Sequence, residues 1–348
     1  NIIFTLFIIF FGYFFSKYLL LIFKKSKSNL LADNQFQKPQ AFHENSTYRL
    51  GGIIIFSLLI LVFLYLYFSR NIFSPEYVSF CTLFFLLGLV DDLKINIAPK
   101  FRLLIMIAFL ITLVISNEIY IKKTGLEFLD NLVEIDIFSL MFICLCFLFI
   151  INGSNLIDGF NGLLGIHSLI IFIVLFVINL INENNNLIYI LFYVSLLILI
   201  FLKFNFPIAQ IFLGDGGAYL IGILIAISVI KTSNLNPSIS PFFFCILLFY
   251  LFFEVFFSFF RKLFVVRQSP LLPDNQHLHM SLYKLLLKKN KIKLSSNYTV
   301  SICINLIYLS LIIPGIIFMN NGLFCRYYFF SLLIIYIYFY KMLYKKVK

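Results

Sequence analysis

The run FSLMFICLCFLFIINGSNLIDGFNG, residues 138–162, sets an unbroken apolar segment against a knot of amides, glycines and one carboxylate. Its first part, 138–152, is apolar enough to cross a thinned bilayer. Beyond it, Asn152, Asn155, Asp158 and Asn161 recur every third residue. A regular helix would carry that row halfway round its axis, so a loop or broken helix end is expected over 152–162. Next to lipid these groups would lack hydrogen-bond partners at a cost of several kcal/mol each, so they must face water, protein or a ligand.

The rest of the chain repeats the contrast. Of 348 residues, 62% are hydrophobic and 12% charged, which excludes a soluble domain. About eleven spans are expected, at 2–22, 51–68, 75–91, 101–117, 138–152, 163–181, 187–203, 216–231, 241–260, 297–318 and 324–341. The fold class is therefore all-α, a polytopic membrane protein with a single domain over 1–348. The first segment has neither a basic leader nor a small-residue cleavage site, and reads as a retained helix. All six cysteines lie in apolar segments and read as core residues. Sorted by loop parity, basic residues favour one side by about four to one. That side is expected to be cytoplasmic, with the N-terminus outside and the C-terminus inside. The same bias accounts for the net charge of +12 without a nucleic-acid partner.

Every polar anomaly falls in the loops of that side, about 23–50, 91–100, 152–162, 203–217 and 261–294. Asp91 and Asp92 close the third span; adjacent carboxylates repel unless a cation or base offsets them, although a solvated helix end would look the same. Lys94, Lys100 and Arg102 follow, so one loop offers ligands for a metal and bases for phosphate. Asp215 stands among Gly214, Gly216 and Gly217 at the start of a span, where it reads equally as a helix cap or as a ligand of Mg²⁺. Phe212 beside it could stack a flat base, or simply pack. His277 and His279 lie in the most basic loop with Arg261, Lys262 and Arg267, a set that suits phosphate better than zinc. Glu254 is an acid within a span, with Arg261 two helical turns further on as a candidate partner. The first polar loop adds His43, Thr47, Arg49 and Gly51-Gly52.

Five motifs in this order resemble the polyprenyl-phosphate N-acetylhexosamine-1-phosphate transferase superfamily, glycosyltransferase family 4. They are Thr47-x-Arg49-x-Gly51-Gly52, Gly88-x-x-Asp91-Asp92, Asn152-x-x-Asn155-x-x-Asp158-Gly159-x-Asn161-Gly162, Phe212-x-Gly214-Asp215-x-Gly217 and Asp274-x-x-His277-x-His279. The resemblance implies Mg²⁺-dependent transfer (Mn²⁺ as a substitute) of a sugar 1-phosphate from a UDP-N-acetyl sugar to polyprenyl phosphate, undecaprenyl phosphate in bacteria, with release of UMP. It implies a catalytic centre of Asp91, Asp92, Asp158 and His279, with Asp215 and Asp91 at the metal. It places Lys100, Asn155, Asn161, Phe212, Arg267 and His277 at the substrates, and implies an inner-membrane enzyme, homodimeric, with its cleft facing the cytoplasm.

The histidine loop resembles the WecA-like branch, which initiates O-antigen, capsule and related envelope polysaccharides, more than the phospho-MurNAc-pentapeptide transferases of peptidoglycan synthesis. Two positions depart from the pattern. Met280 stands where a third histidine is usual, and Asn161 where aspartate is. A transporter would instead place its polar residues near mid-bilayer, in inverted halves.

Overall fold

The computed structural model describes residues 2–26, 31–33, 47–95, 97–269, 276–290 and 292–347. His43 and Asp274 lie outside these residues, as do parts of the first and last polar loops. The order is α1 (Ile2–Ser26), β1 (Ala32–Asp33), β2 (Thr47–Arg49), α2 (Gly51–Arg70), α3 (Pro75–Asp92), α4 (Pro99–Asn117), α5 (Glu127–Val133), α6 (Asp136–Ile157), α7 (Leu163–Ile181) and α8 (Asn185–Asn205). Then come β3 (Ile211–Phe212), α9 (Gly214–Leu235), α10 (Pro241–Leu247), α11 (Phe249–Phe260), a π-helical turn (Arg261–Val266), α12 (Leu278–Asn290), α13 (Lys293–Ile317) and α14 (Gly322–Val347).

Each expected span falls on a helix. Among the described residues nine helices are individually long and apolar enough to cross a membrane, and a bent pair makes ten. α3 has three acids at its ends, Glu76, Asp91 and Asp92. Large apolar side chains such as Phe10, Phe14, Phe68, Leu104 and Ile334 stay exposed on the outer faces of the bundle, where lipid would cover them. The architecture is that of a multi-pass membrane protein.

α9 is its axis. Nearly every residue from Gly214 to Ile230 is buried, with α2, α3, α6 and α7 packed around it. Two close approaches bring backbones together at its first turn. A Cβ added at Gly88 of α3 would lie 2.5 Å from the Asp215 carbonyl oxygen and from the Gly216 nitrogen, and one at Gly52 of α2 would collide with the Gly217 nitrogen. Only glycine permits either contact.

Two expectations need correction. The helix expected to stop near Asn152 runs on to Ile157, because Gly153 fits against the Leu251 carbonyl and the Asn152 amide donates back to the Leu148 carbonyl, 2.8 Å away. The segment 241–260 is not one straight span. It bends by 75° at Leu248, where the Tyr308 hydroxyl donates to the Leu247 carbonyl at 2.6 Å. The all-α class stands; beside the helices β1, β2 and β3, of two or three residues each, form a small sheet, antiparallel between the first two and parallel between β2 and β3.

Candidate active site

The small sheet joins two polar loops. Its parallel register sets Arg49 opposite Phe212, and the Gly52 N–H donates to the Leu213 carbonyl at 2.8 Å. Arg49 therefore reaches the first turn of α9 from one side while the end of α3 reaches it from the other. Gly88 and Asp92 are four residues apart and share one face of α3, so the contact at Gly88 delivers Asp92 to the α9 amides.

Asp92 uses both oxygens there. One accepts from the Asp215 N–H at 2.9 Å and from Arg49 Nη1 at 3.2 Å, and the other accepts from the Gly216 N–H at 2.9 Å. The first amides of a helix lack internal partners, and a carboxylate supplied by another helix satisfies two of them and meets the positive end of the dipole. Asp92, and not Asp215, supplies the carboxylate that caps the first amides of α9. Gly214, at φ +78°, makes the turn that admits the carboxylate, since a Cβ there would lie 2.5 Å from the nearer Asp92 oxygen.

Around this cap the structure gathers four of the predicted acids. Asp91 pairs with Arg102. The Asp215 carboxylate, 30% exposed, lies 3.8 Å from Arg49 Nη1. Burial, then the charges of Asp215 and Asp92, push the Asp158 carboxyl well above the usual range, with Arg49 opposing. Burial works against the Arg49 charge, but Asp215, Asp33 and Asp92 together outweigh it and hold the guanidinium more firmly protonated. Among the described residues Arg49 thus pairs with Asp33, Asp92 and Asp215, and Arg102 with Asp91. Asn155 sits partly exposed one turn before Asp158, and Lys100 is exposed in the first turn of α4.

The turn after α6 is fastened from within. The Asn161 N–H donates to Asn297 Oδ1 at 2.8 Å, and its side-chain amide donates to the Pro207 carbonyl at 2.9 Å. Gly162 donates to Asn205 Oδ1 at 2.7 Å, and Asn205 donates on to the Ile211 carbonyl at 2.9 Å, tying the turn to β3. The buried Asn161 therefore holds protein to protein.

The histidines form a second cluster beside the first, with the ring of Phe160 edge-on to His279 at 5.7 Å. Their anchor is Glu254, which is 1% exposed. It lies 3.1 Å from His277 Nδ1 and accepts from Tyr336 Oη at 2.8 Å and from the Leu278 N–H at 3.3 Å, the first amide of α12. The Arg261 guanidinium, expected beside Glu254, donates to Gln276 at 2.8 Å. His279 Nδ1 lies 3.1 Å from the Tyr250 hydroxyl, and burial lowers its pKa to about 4, so the ring is neutral near pH 7. Met280 is buried in the apolar core. Arg267 is exposed at a positive φ of 57°, at the end of the π-helical turn. Replacing Glu254 by Ala should cost about 3–5 kcal/mol by leaving a buried network half-satisfied. A lower melting temperature in detergent and faster proteolysis within residues 267–293 would be the readouts.

The donor set fits Mg²⁺ better than zinc. Among the described residues no group of three or more His, Cys, Asp or Glu is arranged to hold a metal ion. Mg²⁺ is commonly held by one or two carboxylates, with waters and substrate phosphates completing its shell. Asp215, partly exposed beside Arg49, would supply such a carboxylate, while Asp92 accepts from two α9 amides and Asp91 pairs with Arg102. Arg49, Asp33, Asn205 and Tyr250 belong to this end of the molecule but were not among the site residues read from the sequence. Only Arg49, within its Gly-Gly motif, gave a signal there.

Comparisons with known proteins agree with this geometry. The model of glycosyl transferase family 4 matches residues 75–233. The undecaprenyl-phosphate alpha-N-acetylglucosaminyl 1-phosphate transferase of Thermotoga maritima is 28% identical over 241 residues, covering 68% of each chain. The phospho-N-acetylmuramoyl-pentapeptide-transferase of Dictyoglomus thermophilum is 33% identical over 247 residues, 66% of this chain and 74% of that protein. A probable undecaprenyl-phosphate N-acetylglucosaminyl 1-phosphate transferase of Bacillus subtilis is 26% identical over 245 residues, 68% and 66% respectively. By the acids at the head of α9, the glycine contacts that place them and this likeness, the chain belongs to glycosyl transferase family 4, the polyprenyl-phosphate hexosamine-1-phosphate transferase superfamily.

Proposed function

We propose that this protein transfers an N-acetylhexosamine 1-phosphate from a UDP-sugar to polyprenyl phosphate, undecaprenyl phosphate in a bacterial membrane. An oxygen of the lipid phosphate attacks the β-phosphorus of the donor, the bond from that phosphorus to the bridging oxygen breaks, and UMP departs with the electron pair. The observation that carries the reading is the acidic cluster at the amino end of α9, with Arg49 and Arg102 set into it. Two phosphate substrates repel, so positioning and charge neutralisation dominate the barrier.

Each residue has a part in that. The lipid phosphate is already ionised near neutral pH, so no strong base is required. Asp92 holds the α9 amides in place, and its engagement with two amides and Arg49 argues against its acting as that base. Asp215 would hold Mg²⁺, which when bound neutralises developing charge on the leaving phosphate. Phe212, opposite Arg49, would stack the uracil, and His277 and His279, set by Glu254 and Tyr250, would contact the diphosphate. The basic-residue bias supports a cytoplasmic site, an outside N-terminus and an inside C-terminus. Lipid-linked sugar made there would begin an O-antigen, capsule or other envelope polysaccharide.

A second reading, transfer of phospho-MurNAc-pentapeptide, is favoured by the name of the Dictyoglomus relative. Against it stands the spacing Asp274-x-x-His277-x-His279, which resembles the WecA-like branch; Met280, the departure from that branch's pattern, packs in the core. A donor panel separates the two. Purified protein in detergent, given undecaprenyl phosphate and Mg²⁺, is expected to release UMP from a UDP-N-acetylhexosamine at least tenfold faster than from UDP-MurNAc-pentapeptide. The reverse preference would establish the second reading.

A further inference from the structure

Arg49 makes no sense as a fork waiting for phosphate, because its donors are already directed at carboxylates. Nε and Nη2 reach Asp33 Oδ2 at 3.3 and 2.9 Å, and Nη1 faces Asp92 at 3.2 Å and Asp215 at 3.8 Å. Its side chain is 23% exposed, and its backbone is pinned by the β2–β3 ladder at the Phe212 register. The guanidinium is therefore a fixed positive charge between the α9 cap and the carboxylate best placed for a metal.

We propose that Arg49 is the internal counter-cation of this site: it neutralises Asp215 and Asp92 when no divalent ion is present, competes with that ion for Asp215, and is kept at working distance by Asp33. The proposal rests on the reading of Asp215 as the metal carboxylate. A positive charge within about 4 Å of that ligand repels the ion, so removing it tightens metal binding. The same removal leaves Asp92 short of its partner and misplaces the first turn of α9, so turnover falls. Opposite effects on affinity and turnover are the mark of a competing cation, since a merely structural residue would lower both. Asp33 acts in the other direction. Without its pull the guanidinium is released toward Asp215 and metal binding weakens.

The test is Mn²⁺ binding by the purified chain in nanodiscs without substrates, followed by the electron paramagnetic resonance signal of free Mn²⁺. UMP release at saturating metal is measured in parallel. Arg49→Gln is expected to bind Mn²⁺ about tenfold more tightly than the parent and to turn over at least tenfold more slowly. Arg49→Lys is expected to keep the parent affinity within about threefold, and Asp33→Asn to bind about threefold more weakly. Unchanged or weaker binding by Arg49→Gln, in protein that elutes and melts like the parent, overturns the proposal while leaving Asp215 as the metal residue. If Arg49→Gln does not fold, Asp33→Asn decides, and binding that is not weakened overturns the proposal. If Asp215→Asn binds Mn²⁺ as tightly as the parent, or if the parent binds none, the reading of Asp215 fails and the proposal falls with it.

Discussion

Asp215→Asn is expected to lower UMP release by about a hundred- to a thousandfold while leaving the fold as stable as before. The two halves of that expectation have separate causes. Catalysis falls because an amide presents one neutral oxygen where a carboxylate would hold Mg²⁺ against two phosphates. Stability is spared because Asp215 does not cap α9; its own N–H is the group being capped, and the Asp92 carboxylate does the capping. Removing a negative charge relieves the repulsion that, after burial, helps raise the Asp158 carboxyl, so the native state is left no worse off. The change in unfolding free energy should stay within about 0.5 kcal/mol. UMP release and a thermal melt on the same preparation read both. A variant that melts far below the parent would mean that Asp215 is a structural residue.

Gly88→Ala should be equally damaging by the opposite route. The added methyl would sit 2.5 Å from two backbone atoms of α9, so no rotamer change relieves it and the helices must part. Overpacking of this kind costs about 1–3 kcal/mol, more where only backbone can yield. Parting α3 from α9 also draws Asp92 away from two amides, each costing about 1–3 kcal/mol if left unpaired in the protein. Expected results are a melting temperature lowered by several degrees and turnover reduced at least a hundredfold in whatever protein folds. Asp92→Asn should follow in milder form, since asparagine keeps one acceptor but turns a donor toward the second N–H. Parent-like melting and activity in Gly88→Ala would show that the close approach does not set the site.

These two residues also show what the sequence makes legible. Spans are easily read, because twenty apolar residues in a row admit few structures besides a membrane helix. The acids were found because a charge beside such a run is conspicuous. Their division of labour was hidden: Asp92 and Asp215 are 123 positions apart, and which one caps α9 depends on a backbone contact at Gly88. Strands of two or three residues carry no period to read, so the sheet that aligns Arg49 with Phe212 left no signal. Glu254 was visible as an intramembrane acid, yet the nearby Arg261 was the obvious partner and His277 the real one. The bend at Leu248 lies in a run of phenylalanines without the Pro or Gly that usually marks a break.

The most direct test of the reaction follows the phosphorus. UDP-N-acetylglucosamine labelled with ³²P at the β-phosphate, and a second sample labelled at the α-phosphate, would be incubated with purified protein, undecaprenyl phosphate and Mg²⁺. The lipid would then be extracted into organic solvent. Transfer of a sugar 1-phosphate predicts that β-label enters the lipid fraction, α-label stays in water as UMP, and Asp215→Asn slows the transfer of β-label by about a hundredfold or more. Lipid that carries the sugar without the β-label, or that carries the α-label, would contradict the account.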